Sequence, residues 1–174
     1  PDSSVLCDGV FDKVFPNLKC WKHTGHGNVI NASTALQYSC NDYLCDIAYR
    51  LGTINGMEYT DNAALESLQE YSKLFYLDKK SGVEIAESQP HVTDAYGIPS
   101  AIGQGTHNYA TVQLVRYVNT IASRGNVFQL SLVKGIADTN GNFVENNAVL
   151  ENKVELPDSV WDTVSSGMVQ FAQN

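Results

Sequence analysis

Ser39-Cys40-Asn41 sets a hydroxyl and a carboxamide two residues apart, just ahead of an amphipathic stretch. In an extended or turning segment, side chains two apart point the same way. A serine and an asparagine so placed can face one cleft, the hydroxyl passing a proton and the amide binding a substrate carbonyl or amide. The same residues also serve as a capping serine beside a turn asparagine, and the tripeptide alone fits that plainer role better.

Three further groupings could do chemistry. Cys20, His23 and His26 are spaced three apart with Cys7 upstream, a Cys₂His₂ inventory for a metal. The spacing matches no common zinc pattern, and His26 lies in His-Thr-Gly-His-Gly, whose glycines have backbone uses of their own; the expectation is no metal. Ser131-Leu132-Val133-Lys134 has the spacing of a serine activated by a lysine one helical turn away. The segment reads as a strand, however, where an odd separation sends the two side chains to opposite faces. Lys80-Ser81-Gly82 resembles a carboxylate-binding K-[ST]-G, but it follows a helix directly and reads as a basic helix end with a glycine stop.

The elements that must position these residues follow from periodicity. Residues 5–22 read as two short strands around Phe15-Pro16-Asn17. Cys7 and Cys20 flank that hairpin, a placement compatible with a disulfide, whereas Cys40 and Cys45 straddle a helix start and match poorly. A glycine-rich loop over 23–29 leads to a short helix with Ala35 and Leu36, capped by Asn31 or Ser33. Leu44, Ile47, Ala48 and Leu51 mark one face of the next helix, with Asp42 in its first turn and Gly52 at C′. A helix from about Asp61 to Leu77 carries Ala64, Leu68, Tyr71 and Phe75, with Asp61 or Asn62 as cap. Residues 78–106 read as irregular. A helix starting near His107 turns Leu114, Tyr117, Val118 and Ile121 inward and stops at Gly125. Residues 127–133 alternate, with Phe128, Leu130 and Leu132 on one side. Asp138–Gly141 is a hairpin turn, and Pro157 opens a last helix at N1 with Val160, Val164, Met168 and Phe171 inward. No repeat or linker interrupts this order, which is that of an α+β, mostly helical chain.

Bulk properties narrow the function. A chain of 174 residues with 43% hydrophobic content can bury one core. Its formal net charge of -8 argues against nucleic-acid binding, which needs a basic surface. No apolar run reaches the ~20 residues of a membrane span. The chain begins at Pro1, without an initiating Met or signal peptide, as a mature or excised piece would.

Taken together, these stretches resemble the class B penicillin-binding proteins, the peptidoglycan D,D-transpeptidases. Cys20-Trp21, His26-Gly27 and a short helix into Tyr38-Ser39-Cys40-Asn41 are similar to the approach to that family's S-x-N motif, and Tyr43 and Arg50-Leu51-Gly52 continue it. Leu77–Glu84 resembles its GxxxKTGIxLPxE stretch, which is distinct from its catalytic K-T-G. Ala101-Ile102-Gly103-Gln104-Gly105 resembles SIGQG, and Gln113-Leu114 falls at its TPLQLA. Leu132-Val133-Lys134, the turn Asp138–Gly141 and the helix with Gly167-Met168 follow in the family's order. Departures are Ala110-Thr111 for Thr-Pro, Val112 for Leu, and Ile85-Ala86-Glu87-Ser88 at LPGE.

The resemblance implies a partial transpeptidase fold, serine β-lactamase-like, with a small β-hairpin element and the central sheet largely missing. Residues 1–174 would be an internal fragment of one domain, lacking the S-x-x-K and K-[ST]-G segments that flank it in the family. In the family the S-x-x-K serine is acylated by D-Ala-D-Ala stem peptides or trapped by β-lactams. Ser39 would then pass a proton to the leaving group, and Asn41 would bind the acyl amide and hold the lysine. Gly103, Gln104 and Gly105 would contribute to substrate binding. No metal or organic cofactor is implied. The implied setting is extracytoplasmic, with an anchor in the bacterial cell membrane and cell-wall synthesis proteins as partners. Such an oxidising setting favours the Cys7–Cys20 disulfide. The isolated chain would not acylate. Rival readings are a β-lactam sensor or hydrolase, a non-catalytic transpeptidase-like scaffold, and a small zinc module.

Overall fold

A computed structural model describes residues 3–53 and 58–173. They form six helices and eight short strands, divided between two compact units. The first unit combines residues 1–70, 93–107 and 156–174; the second combines 71–92 and 108–155.

In the first unit, β1 (Val5–Cys7) pairs antiparallel with β4 (Gly27–Val29), setting Cys7 opposite Gly27. β2 (Val10–Phe11) pairs with β3 (Leu18–Lys19) across the expected turn. The predicted two-strand hairpin is therefore only β2–β3, because β1 takes its partner from beyond the glycine-rich loop. Helix α1 (Ala32–Gln37) is capped by Asn31, whose side chain accepts the Thr34 N–H at 2.8 Å. Helix α2 (Asn41–Leu51) buries Tyr43, Cys45 and Ala48, while Leu44, Ile47 and Leu51 are half-buried. Gly52 ends α2 with an ordinary φ of -81°, not in the left-handed conformation of a C′ glycine. Its role is close packing: a Cβ there would stand 2.4 Å from the Tyr59 ring.

Helix α3 (Asp61–Leu74) starts one residue after Thr60, whose hydroxyl accepts the Ala63 N–H at 3.4 Å, so Thr60 takes the cap expected of Asp61 or Asn62. Ala64 is buried as expected, but Tyr71 is exposed. The stretch read as irregular contains a short helix, α4 (Gly97–Ala101), which lies against α2. Ile98 joins Phe11, Cys45 and Ala48 in one core cluster. Helix α6 (Asp158–Ala172) begins one residue later than expected, with Pro157 at the cap, and packs along α1. Trp161 and Gly167 are its buried positions; Met168 and Phe171, predicted inward, are exposed.

The second unit is built on helix α5 (Thr111–Ala122) and four strands. Its inward residues are Gln113, Arg116 and Thr120, not Leu114 and Val118, which are exposed. Arg116 explains the inversion. The residue is 1% exposed and its guanidinium donates to the Tyr76, Lys79 and Lys80 carbonyls, each at 2.6 Å, so burial is matched by charge-assisted hydrogen bonds. Strand β5 (Asn126–Phe128) pairs antiparallel with β8 (Leu150–Lys153) and buries Val127, the residue just before the expected Phe128, Leu130 and Leu132 side. β6 (Gly135–Ala137) and β7 (Phe143–Glu145) form the expected hairpin, its turn held by Asp138 Oδ1 accepting the Asn140 and Asn142 N–H groups.

Candidate functional site

Ser39, Cys40 and Asn41 form the joint between α1 and α2. The Ser39 N–H reaches the Leu36 carbonyl at 3.1 Å and the Cys40 N–H reaches Ala35 at 2.9 Å, the two bonds of a Schellman helix end. Ser39 occupies the left-handed C′ position with φ of 48°. It is thus no N-cap: Cys40 takes that place without a side-chain cap bond, and Asn41 opens α2. The outcome is an exposed hydroxyl on a sharp corner, next to a half-buried amide whose Nδ2 donates to the Lys19 carbonyl at 3.4 Å. The residue between them turns the other way, and Cys40 is fully buried.

Cys40 meets Cys7, Cys20 and His26. One sulfur or ring-nitrogen atom from each lies within 4.8 Å of the others. His26 Nδ1 stands 3.6 Å from Cys7 Sγ and 3.5 Å from Cys20 Sγ. Its ring stacks on Tyr38, centroids 5.6 Å apart, and meets the edge of Trp21, whose Nε1 donates to the Tyr38 carbonyl at 2.9 Å. His26 Nε2 is buried with no hydrogen-bond partner among the described residues. Backbone N–H groups are aimed at the sulfurs: His26 and Gly9 toward Cys7, Asp42, Lys22 and Asn41 toward Cys20, and Tyr43 toward Cys40. Burial pushes the Cys7 and Cys40 thiols up, Cys40 to about 12. Cys20 is buried too, yet its surrounding N–H groups hold it below the ordinary thiol value.

The local fold accounts for this convergence. β1–β4 pairing brings Cys7 beside Gly27, and the Cys20 N–H bonds to the Gly9 carbonyl at 2.9 Å. Gly9 and Gly25 both have positive φ, and a Cβ on Gly25 would come within 2.2 Å of the Cys7 carbonyl oxygen. Cys7 and Cys20, the expected disulfide pair, are neighbours but both are free thiols. The Cys₂His₂ set is also revised: His23 is exposed and stands outside the cluster, and Cys40 takes the fourth place. Cys45 is buried in the α2–α4 core.

The remaining candidates resolve locally. Gly103 closes α4 in a second Schellman end, with φ of 79° and Gln104 N–H on the Pro99 carbonyl at 2.9 Å. Gly105 is a close-packing glycine whose Cβ would meet Ser100 Oγ at 2.0 Å. Gln104 is exposed. No hydrogen bond links Gly103–Gly105 to Ser39 or Asn41 among the described residues. Ser131 is engaged by Glu84, Val133 and Asn146 in a non-helical segment, so it has no one-turn relation to Lys134. Ser81 is buried and donates its N–H and hydroxyl to Glu87, a structural role for Lys80-Ser81-Gly82.

The family model described as the penicillin binding protein transpeptidase domain matches residues 8–174. This chain belongs to that family. Its fold agrees with solved structures of penicillin-binding proteins. Penicillin-binding protein 2B from Streptococcus pneumoniae strain 5204 superposes with a TM-score of 0.82 at 24% identity, over 99% of this chain and 31% of that one. Pseudomonas aeruginosa PBP2, solved in complex with WCK 5153, gives 0.71 at 21% identity over 98% and 37%. Helicobacter pylori PBP2, solved in complex with MreC, gives 0.71 at 17% identity over 97% and 30%. This chain thus spans about a third of the length of the proteins it resembles, and it has the helical part of the transpeptidase fold with small antiparallel sheets. No curated protein matches it. None of its described helices is long and apolar enough to cross a membrane.

Proposed function

We propose that residues 1–174 are the S-x-N-bearing segment of a class B, serine-type D,D-transpeptidase domain that cross-links peptidoglycan stem peptides and is acylated by β-lactams. The observation that carries this reading is the corner at Ser39. There the chain spends a left-handed backbone conformation on an exposed hydroxyl and sets the Asn41 amide beside it. Tyr76 and Arg124 close α3 and α5 in the same conformation, so the support lies in the exposed Ser39 hydroxyl and the nearby Asn41 amide taken with the transpeptidase family match, not in the backbone alone.

In this reading the nucleophilic serine, its lysine and the K-[ST]-G strand come from sequence outside residues 1–174. The nucleophile attacks the penultimate D-Ala carbonyl. The Ser39 hydroxyl then relays a proton to the departing D-Ala amine, and the Asn41 amide holds the acyl-side amide of the donor. An amine of a second stem peptide takes the acyl group and completes the cross-link. The parent protein works outside the cytoplasmic membrane, held by an anchor beyond this segment, among other cell-wall synthesis proteins.

Two measurements test the proposal. The 174-residue chain alone should take no covalent label from a fluorescent penicillin, because it holds no serine one helical turn from a lysine among its described residues. In the full-length protein, Ser39→Ala should slow acylation by roughly 10²–10⁴-fold, the range of a lost acid–base group. Undiminished acylation of that variant would assign Ser39 to helix termination only. A full-length protein that takes no label at all would point to a scaffold.

A further inference from the structure

We propose that Lys19, Trp21 and Lys22 form a docking ridge for an acidic peptide, set along the corner that carries Ser39 and Asn41. Residues 13–41 contain three lysines and no aspartate or glutamate, in a chain with 19 acidic residues and a net charge of -8. Such segregation gives one stretch of an acidic molecule a local field that attracts anions. Lys13 is already engaged, 2.5 Å from Asp46. Lys19 and Lys22 are exposed and have no ion-pair partner among the described residues.

The ridge is built into the corner. Cys20 is buried between Lys19 and Trp21, so the two flanking side chains share the outer side. The Lys19 carbonyl accepts from Asn41 Nδ2 at 3.4 Å, and Trp21 Nε1 donates to the Tyr38 carbonyl at 2.9 Å. These two bonds join the end of β3 to the residues that bracket Ser39 and Cys40. The Trp21 side chain is held by the Nε1 bond and by its edge contact with His26, centroids 5.3 Å apart, yet the residue stays 60% exposed. A large aromatic surface that is already fixed loses little freedom when a ligand covers it. The mixture selects the ligand: carboxylates answer the two lysines, and aliphatic side chains of a peptide cover the indole.

Under the proposed function this peptide is a stem peptide, and the ridge extends its binding site away from the bond that is broken. That identity rests on the transpeptidase reading; the preference for an acidic peptide rests on the ridge alone.

Calorimetry on the full-length protein tests it with a soluble stem pentapeptide, compared with the same peptide after amidation of its internal carboxylates. The acidic form should bind about fivefold more tightly at low salt, the product of two exposed ion pairs, and the difference should shrink at high salt. Combining Lys19→Gln with Lys22→Gln should erase the difference, whereas Lys19→Arg with Lys22→Arg should keep it. Binding should also change the tryptophan fluorescence, and Trp21→Phe should abolish that change. Equal affinity of the wild-type protein for the two peptides overturns the proposal, as does a preference that survives the double glutamine variant. Binding to vesicles of anionic phospholipid, with none to the acidic peptide, overturns it in favour of a lipid surface. Labelling by a fluorescent penicillin reports separately on the transpeptidase reading. A protein that labels but shows no acid preference sinks the ridge and leaves that reading standing; one that fails to label but keeps a lysine-dependent preference does the reverse.

Discussion

Ser39 keeps its place at a steric cost. A non-glycine residue in the left-handed region pays roughly 1–2 kcal/mol relative to the right-handed one, and the two Schellman bonds hold Ser39 there with φ of 48°. Ser39→Gly should therefore raise the unfolding free energy by about 0.5–1 kcal/mol in a denaturant melt, part of the relief being offset by the freer unfolded chain. A loss of stability would instead mean that the hydroxyl holds the corner together. Under the proposed role of Ser39, the same change in the full-length protein removes the proton relay, so a more stable and less reactive variant is the expected pair of outcomes. Tripeptide identity alone could not disclose this. The letters S-C-N are compatible with a cap, and only the positive φ and the opposite orientation of Cys40 separate the corner from an ordinary helix start.

Arg116 belongs to the scale of elements, because it ties α5 to the chain that leaves α3. Its guanidinium serves three carbonyls of residues 76–80 and lies 3.5 Å from Glu151 of β8. Replacing it with Met should cost about 3–5 kcal/mol, since the three carbonyls lose their donor in a buried place. Lysine should recover only part, because one ammonium cannot span all three. Thermal melts of Arg116→Met and Arg116→Lys check both; equal melting points for the two would show that the fork geometry is immaterial.

The same helix shows where periodicity stops being informative. Leu114, Tyr117, Val118 and Ile121 have helical spacing, and a rule that sends apolar residues inward picks them. The buried stripe is Gln113, Arg116 and Thr120, whose selection depends on carbonyls about forty residues earlier. By contrast, the existence of α2 and the Asp138–Gly141 hairpin were legible, because helical periodicity and turn chemistry are set within a few residues, although Ser39 and Gly52 do not cap α2 as expected. The cysteine cluster falls between these cases. Cys7, Cys20 and His26 are visible as metal-binding residue types, yet choosing Cys40 over His23 requires the β1–β4 pairing and the turn at Ser39, neither of which is local. The family motifs were readable for a different reason: they survive as short strings in a fixed order, whatever the packing between them.

At the scale of the whole molecule, the two units should respond differently to acid. The second unit holds three carboxyls below their usual range: Glu84 through the Ser131 hydroxyl and the Leu132 N–H, Asp138 through the Asn142 amide and N–H, and Glu87. For Glu87 burial pushes upward, but the Ser81 N–H and hydroxyl, with Gln113 and Arg116, outweigh it. A carboxyl with a depressed folded value adds stability above its unfolded value of about 4 and loses it as pH falls through the folded one. In the first unit burial raises Asp42, which has the opposite sign: its penalty at neutral pH fades on acidification. Hydrogen exchange followed from about pH 5 down to 3 should show the second unit losing protection first. Glu87→Gln should flatten that dependence. Simultaneous loss in both units would show that these carboxyls do not set the acid limit.

The contact between α1 and α6 carries one more consequence. Gly167 lets α6 lie so close to α1 that a Cβ would stand 2.7 Å from the Leu36 Cβ and 2.8 Å from the Ser33 carbonyl oxygen. Between the end of α1 at Gln37 and the start of α6 at Asp158 lie roughly 120 residues of chain. At about 5–20 residues per second, a ribosome needs about 6–24 s to make them. The cysteine cluster is complete in the first 40 residues, so the corner at Ser39 can set early, while the α6-facing side of α1 waits uncovered. For that interval the nascent chain presents a half-built helix pair, and a holding chaperone would meet it in that state.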